Sequence, residues 1–172
     1  MGLSQAEFDR LVSDHGSALY RVAYRLAGDR HEAEDLVQET YQSAWKSRAL
    51  FEPGRGERAW LASILRRRAA DRWRRRKGLK VFSPDQAPEV AAPGHDPLRN
   101  QYTDQVQHAL DRLPEELRET LLLVVVAELT HQEAAEVLSV PLGTVLSRVS
   151  RARKRLREYL MAANSKSILG GD

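Results

Sequence analysis

Two stretches dense in arginine and lysine are the parts of this sequence best suited to bind a charged partner. Eight of the twelve residues at 66–77 are Arg or Lys, and residues 144–157 include six basic residues and no acid. Guanidinium and ammonium groups bind phosphate oxygens, so both stretches are candidate nucleic-acid contacts. A short acidic block, Glu32, Glu34, Asp35 and Glu39, lies apart from both. The formal net charge of +3 therefore conceals a strong separation of charge along the chain.

The composition excludes several other kinds of chemistry. The 172-residue chain has no cysteine, so a disulfide scaffold, a thiol nucleophile and a cysteine zinc site are all excluded. Its five histidines are scattered, and none forms the i, i+4 pair that sets two ligands on one helix face. We therefore expect no metal and no cofactor. No apolar run approaches transmembrane length and residues 1–10 lack signal-peptide character, which predicts a soluble, cytoplasmic protein without membrane insertion.

Helical periodicity runs through almost every segment that must position these charges, and no segment alternates as a strand would. Ser4 with Glu7 forms a capping-box pattern, and Asp29 with Glu32 indicates a second helix start. Residues 51–57 contain a proline and two glycines and predict a loop, after which a helix is expected over 58–77. The predicted fold class is therefore all-α.

A change of composition divides the chain into two parts. Residues 83–97 contain four prolines and a glycine but few large apolar side chains, which predicts an extended linker rather than part of a core. The expected organisation is a small helical domain at 1–77, a flexible Pro-rich linker at 78–100, a second helical domain at 101–161 and a frayed tail at 162–172.

The second domain contains the pattern of a helix-turn-helix. Thr130 and Glu133 form a capping box, and Pro141 suits the first turn of the next helix. At about 100° per residue, the expected buried positions of that helix are Val145, Val149, Ala152 and Leu156. The opposite side holds residue types that contact phosphates and base edges: Thr144, Ser147, Arg148, Arg151, Lys154 and Arg155. A solvated basic face is the alternative, but the capped helix and tight turn before it favour DNA binding.

The first basic stretch is denser, and so many like charges on one helix repel one another, a cost that a polyanion would relieve. A solvated face is again the alternative. Two tryptophans accompany it. The i+4 spacing places Trp73 on the same face as Leu61, Leu65 and Ala69, which predicts core packing for this ring. Trp60 fits either core packing or stacking on an unpaired base.

The acidic block predicts a separate surface. When the apolar positions of its helix face the core, another side is shared by Asp35, Gln38, Glu39 and Gln42. DNA would repel these carboxylates, so the surface suits a protein partner. Ordinary solubility is the alternative.

Taken together, three segments resemble a known family. They read “YRVAYRLAGDRHEAEDLVQETYQSAWK”, “AWLASILRRRAADRWRRR” and “ALDRLPEELRETLLLVVVAELTHQEAAEVLSVPLGTVLSRVSRARKRLRE”. In order and spacing they resemble the extracytoplasmic-function (ECF, group IV) sigma factors, the minimal members of the bacterial sigma-seventy family. The resemblance covers residues 5–77 and 101–160, approximately.

The resemblance implies an all-helical, non-enzymatic protein that binds core RNA polymerase and promoter DNA. It implies docking on the β′ clamp helices through Asp35, Gln38 and Glu39, supported by Leu36 and Tyr41. It also implies contact with the polymerase β subunit. It implies −10 reading and strand opening by the loop at 51–57 and the helix at 60–76, with contacts from Arg55, Glu57, Arg58, Trp60, Arg66, Arg67, Arg74 and Arg75. It implies −35 reading by the six polar residues of the helix-turn-helix. The linker would run through the RNA-exit region, and the free protein would be a monomer. An anti-sigma factor remains open as a further partner.

Several residues depart from the family pattern. Leu146 stands where a lysine is usual, Ser139 where a turn glycine is usual, and Arg67 where an asparagine is frequent. These positions make promoter sequence the property that transfers least from the family.

Two other functions compete with this interpretation. A stand-alone helix-turn-helix regulator would read an operator as a dimer and would need no polymerase contact. A metal-dependent nuclease would need converging carboxylates, for which Asp71 and Glu57 are the available pair.

Overall fold

The computed structural model describes residues 2–52, 56–82 and 101–169, and within these ranges every regular element is a helix. The first compact unit contains α1 (Gln5–Ala27), α2 (Arg30–Ser47), a 3₁₀ turn (Arg48–Leu50) and α3 (Glu57–Phe82). The second contains α4 (Gln101–Asp111), α5 (Glu115–Val125), α6 (His131–Leu138) and α7 (Leu142–Leu169). The predicted all-α class and two helical units are confirmed. Residues 83–100, which hold most of the predicted linker, lie outside the described residues.

Local capping signals fix where the helices of the first unit begin and end. The Ser4 hydroxyl accepts a hydrogen bond from the Glu7 backbone N–H, and the Glu7 carboxylate accepts one from the Ser4 N–H at 2.8 Å. The Ser4 hydroxyl also donates to the Glu7 carboxylate at 2.7 Å, and this bond, together with the one from the Ser4 N–H, lowers the pKa of Glu7. α1 ends at Gly28, whose φ of 72° is a left-handed conformation that favours glycine. Asp29 then caps α2 by accepting the Glu32 N–H at 3.0 Å.

The core of the first unit lies where α1, α2 and α3 pack against one another. Its fully buried positions recur at helical spacing and include Leu11, Val22, Leu36, Leu61 and Leu65. α1 and α2 approach closely at Gly16, where a Cβ would lie 3.1 Å from the Tyr41 hydroxyl oxygen. The same packing half-buries Tyr41, and desolvation raises the pKa of its phenol.

α3 is longer than predicted and turns one expected core residue outward. The helix continues through Gly78 to Phe82 instead of ending at 77. Trp73, predicted to pack in the core, is 46% exposed and lies under Lys77, whose ammonium is 3.7 Å from the ring centroid. The core prediction was wrong because each i+4 step rotates about 40° around a 3.6-residue helix, so three steps from Leu61 reach about 120°. Exposure rises accordingly from buried Leu65 through half-buried Ala69 to Trp73.

The second unit is organised around α7, which packs against α4, α5 and α6. The Thr130 capping box opens α6 as predicted: the hydroxyl accepts the Glu133 N–H at 3.1 Å, and the Glu133 carboxylate accepts the Thr130 N–H at 2.8 Å. Val145, Val149 and Ala152 are buried as predicted. Leu156 is only half-buried. α6, its short turn and α7 therefore form the expected helix-turn-helix.

The predicted frayed tail begins as helix. α7 continues without interruption to Leu169, so most of residues 162–172 prolong the helix that carries the basic stretch. The physical reason is local, since Ala162 and Ala163 favour helix and no glycine or proline occurs before Gly170. Residues 170–172 lie outside the described residues.

The turn between α6 and α7 holds a serine in a conformation that favours glycine. Ser139 has φ 55° and ψ 44°, and its N–H donates to the Glu136 carbonyl at 3.2 Å to close the end of α6. Holding a residue with a Cβ in the left-handed conformation costs about 1–2 kcal/mol. Glycine avoids this cost, but it loses more conformational entropy on folding, which offsets part of the gain.

We expect Ser139→Gly to stabilise the helix-turn-helix by about 0.5–1 kcal/mol. The measurement is the free energy of opening of the α6 and α7 amides by hydrogen exchange in the full chain. Ser139→Ala is the matched control and should bring no gain because it keeps the Cβ. Equal protection in the glycine and alanine variants would contradict the argument.

Candidate nucleic-acid and protein interfaces

The acidic surface lies along one side of α2. Asp35 and Gln38 are exposed, Glu39 is half-exposed, and Leu36 is buried beneath them in the three-helix core. The Asp35 side chain retains 69% of its accessible surface. The predicted separation of core and polar faces on this helix is therefore confirmed, and the surface offers carboxylate and amide groups to a basic partner.

Arginines from α3 reach across to this surface, an arrangement that sequence reasoning missed. The Arg72 guanidinium lies 3.2 Å from a Glu39 carboxylate oxygen and 3.5 Å from Asp35, and it also donates to the Glu32 carbonyl at 3.3 Å. One turn further along α3, Arg76 pairs with the Glu32 carboxylate. We call these contacts the α2–α3 clasp. They link the acidic helix α2 to the basic helix α3.

The clasp offsets part of the charge repulsion within the first basic stretch. Arg72 and Arg76 find carboxylate partners on α2, and Arg68 donates to the Ser43 hydroxyl at 2.8 Å. α2 therefore supplies part of the compensating charge, which reduces the repulsion that a polyanion would have to relieve. The signal available in the sequence was the i, i+4, i+8 spacing of these three arginines opposite the acidic helix.

A different side of α3 faces away from the clasp and carries three residues in a line along the helix axis. We call it the aligned side of α3. Trp60, Arg67 and Arg74 are spaced by seven residues, so they lie within about 40° of one another and about 10 Å apart in sequence order. Arg67 and Arg74 are exposed, and Arg74 also pairs with Asp71. Trp60 is half-buried and packs edge-on against Phe51, with 5.0 Å between ring centroids. Trp60 is thus anchored against the core and also reaches the surface, so its position fits either predicted role.

The remaining predicted residues of this surface differ in exposure. Arg75 is exposed, and Arg58 and Arg66 are half-buried. Glu57 begins α3 and lies 3.0 Å from the His15 ring nitrogen on α1. Arg55, together with residues 53 and 54 of the predicted loop, lies outside the described residues.

The polar side of α7 is for the most part solvent-facing. Ser147, Arg151, Lys154 and Arg155 are exposed, and Thr144 is half-buried. Arg148 differs from the others: its guanidinium lies 3.2 Å from the Glu116 carboxylate on α5 and its side chain is 17% exposed. This ion pair ties α7 to α5.

Two leucines complete the solvent-facing surface of α7. Leu142 is 41% and Leu146 is 48% exposed, one helical turn apart in the first half of the helix. Leu146 departs from the family pattern and was noted in the sequence, whereas the exposure of Leu142 is seen only in the packing of α7.

The geometry does not support a metal-dependent nuclease. Glu57 pairs with His15 and Asp71 pairs with Arg74, and the two carboxylates are separated on α3 by on the order of 20 Å. Within the part of the chain that the structure describes, no group of three or more acids and histidines converges as metal ligands. Among the helices in those ranges, none has the length and apolar character to cross a membrane.

The fold and these surfaces define a two-domain helical protein with a helix-turn-helix in its second domain. Each of the two domains matches a known family model. The model of Sigma-70 region 2 matches residues 11–78, and the model of Sigma-70, region 4 matches residues 103–156. The chain belongs to the sigma-70 family and, by its relatives, to the ECF RNA polymerase sigma factors.

Individual relatives agree with this placement. The chain is 38% identical over 167 residues to the ECF RNA polymerase sigma factor SigE of Mycolicibacterium smegmatis, spanning 93% of the chain and 64% of that protein. It is 30% identical to the ECF sigma factor SigW of Bacillus subtilis, with 91% and 90% covered. The sigma factor RpoE of Bartonella quintana, solved in complex with the anti-sigma factor NepR, matches with a TM-score of 0.80 at 32% identity, over 90% of this chain and 96% of that one.

These matches decide between the competing functions. A stand-alone helix-turn-helix regulator would account for the second domain alone, whereas the family models match both domains in the order of a sigma factor.

Proposed function

We propose that this protein directs core RNA polymerase to specific promoters and uses a separate surface for each step. The acidic face of α2 docks on the polymerase, the aligned side of α3 reads and opens the −10 element, and the polar side of α7 reads the −35 element. The observation that carries the proposal is the presence of one acidic and two basic surfaces within the two sigma-type domains.

Charge and burial support the docking role of α2. Asp35, Gln38 and Glu39 present acceptors and an amide to the β′ clamp helices, while buried Leu36 and half-buried Tyr41 hold the helix in place. The clasp supports the same role because Arg72 orients Asp35 and Glu39 before the partner arrives. A preordered surface loses less side-chain entropy on binding.

The aligned side of α3 suits a melted DNA strand. Exposed Arg67, Arg74 and Arg75 would follow the phosphates, and Trp60 would offer a ring to an unpaired base, with further contacts from Arg58, Arg66 and Glu57. Stacking on an aromatic ring is available to a base only after it leaves the duplex, so this contact favours the open state. Arg55 belongs to the same proposal through the family motif alone.

The polar side of α7 suits a major groove. The second helix of a helix-turn-helix places its N-terminal residues on base edges and its later residues near phosphates. Thr144, Ser147 and Arg148 occupy the first positions, and Arg151, Lys154 and Arg155 follow. The Arg148–Glu116 ion pair fixes one of these side chains before DNA binds.

If α7 contacts phosphates, removing one of its cations should change how strongly promoter affinity depends on salt concentration. Log affinity falls as log salt rises, and the steepness of this fall measures the number of phosphate contacts. Arg151→Ala or Lys154→Ala in the holoenzyme should make the fall less steep by about 0.9 for each phosphate contact removed. The measurement is promoter binding at several salt concentrations. Arg112→Ala removes the same charge from the end of α4, where the side chain covers the Tyr159 ring, and serves as control. An unchanged slope in both α7 variants would count against the phosphate contacts.

The two DNA-reading surfaces belong to separate domains, so their joint affinity depends on what fixes their separation. Core polymerase would supply that constraint. The protein by itself would then bind promoter DNA weakly, and it would act in the cytoplasm by binding, without a catalytic step of its own. Run-off transcription with purified core polymerase on a promoter library tests this function. Promoter binding of equal strength and specificity without core polymerase would overturn it.

A further inference from the structure

We infer that Leu146 reads a thymine in the −35 element through the C5 methyl group of the base, with Leu142 extending the apolar contact. The inference rests on the proposed −35 role of α7 and names the chemical feature that this chain recognises there.

The position of the two leucines argues for DNA contact rather than core packing. Val145, Val149 and Ala152 already form the buried stripe of α7, and Leu146 lies about 100° from Val145 around the helix. It retains 48% of its surface, and Leu142 retains 41% one turn earlier. Both lie in the first two turns of the helix, which are the turns that approach base edges in a helix-turn-helix.

Their neighbours indicate the surface on which they lie. Ser147 and Ser150 are exposed and adjoin Leu146 at i+1 and i+4, and Arg151 is exposed one residue further along. The leucines are therefore an apolar patch continuous with the polar side of α7. Whatever binds those polar groups must also cover the leucines.

The chemistry of the major groove then selects the contact. Leucine has no hydrogen-bond donor or acceptor, so it cannot read the polar edge of a base pair. The thymine methyl is the apolar group on the major-groove edges of unmodified base pairs. Covering Leu146 with a methyl removes apolar surface from water on both sides, whereas a polar edge in the same place would lose hydration without a partner.

The test uses holoenzyme and the −35 element selected from a promoter library. Each thymine in turn is replaced by deoxyuridine, which removes only the methyl group. We expect one thymine, or two adjacent ones, at which this change weakens binding about fourfold, the effect of burying one methyl group. In the Leu146→Ala holoenzyme the same replacement should have no effect. Val125→Ala, which trims an exposed apolar residue of α5, is the matched control and should respond like the unaltered protein.

The outcomes separate this inference from the function on which it rests. If Arg151→Ala weakens binding but no deoxyuridine distinguishes Leu146→Ala from the unaltered protein, the methyl contact alone is overturned. If neither Arg151→Ala nor Leu146→Ala changes binding to the −35 element, the proposed role of α7 fails, and the inference fails with it. A Leu146→Ala defect of equal size with thymine and with deoxyuridine at every position would also overturn the inference, because the leucine would then contact something other than a methyl group.

Discussion

Replacing Asp35 with arginine is expected to weaken binding to core RNA polymerase by about thirtyfold or more, a loss of about 2 kcal/mol. Asp35 is the most exposed carboxylate of the α2–α3 clasp, with 69% of its side chain accessible. The substitution would place a cation opposite the basic partner proposed for this surface. It would also lie beside Arg72 and repel it from Glu39. Both effects act on the docking surface. The measurement is the affinity of the full chain for purified core polymerase.

The controls distinguish docking from folding. Asp14→Arg makes the same change of charge at an exposed position of α1, outside the acidic surface, and should leave the affinity close to that of the unaltered chain. Asp35→Asn removes the charge without reversing it and should give an intermediate loss. Thermal unfolding of each variant shows whether the first domain is intact. Unchanged polymerase affinity in a folded Asp35→Arg protein would contradict the docking proposal.

Replacing Trp60 with alanine is expected to lower transcription from a duplex promoter by about tenfold or more, because base–aromatic stacking contributes about 1–3 kcal/mol. Trp60 is held edge-on by Phe51 at 5.0 Å and lies in line with Arg67 and Arg74, so its ring is positioned beside the path proposed for the opened strand. The measurement is run-off transcription by the reconstituted holoenzyme.

A premelted template provides the decisive comparison. On the same promoter with a mismatched bubble over the −10 element, and at saturating holoenzyme, Trp60→Ala should transcribe nearly as well as the unaltered protein. Trp73→Ala is the matched control because Trp73 is also on α3 but is exposed under Lys77, off the Trp60 line. It should have little effect on either template. A Trp60→Ala defect that persists undiminished on the bubble template would show that the ring acts in something other than strand opening.

Local signals in the sequence determined the elements and where they begin. The capping boxes at Ser4 and Thr130 fix helix starts through hydrogen bonds between residues three apart. Helical spacing likewise predicted the buried stripe of α7 at Val145, Val149 and Ala152. These interactions depend on the order of residues within one or two turns, which is why the all-α class and the helix-turn-helix were predictable.

The family resemblance added what periodicity leaves open. Spacing alone left the α7 surface between a solvated face and a DNA reader, and left the acidic face of α2 between solubility and a protein partner. The quoted motifs, in their order, selected the sigma-factor interpretation that both domain matches confirm.

Only the tertiary structure decided which charges are engaged and which remain available. Arg72 and Glu39 are 33 residues apart, and Arg148 and Glu116 are 32 apart, yet each pair lies at 3.2 Å. Such pairs depend on the rotation and separation of two packed helices, which no single helix pattern contains. Trp73 was misplaced for a different reason: its i+4 stripe drifts around α3 by about 40° per step, a rotation that the spacing within the helix already contains. The composition could therefore count the charges of this protein, but helix packing decided which of them form the α2–α3 clasp and which stay exposed.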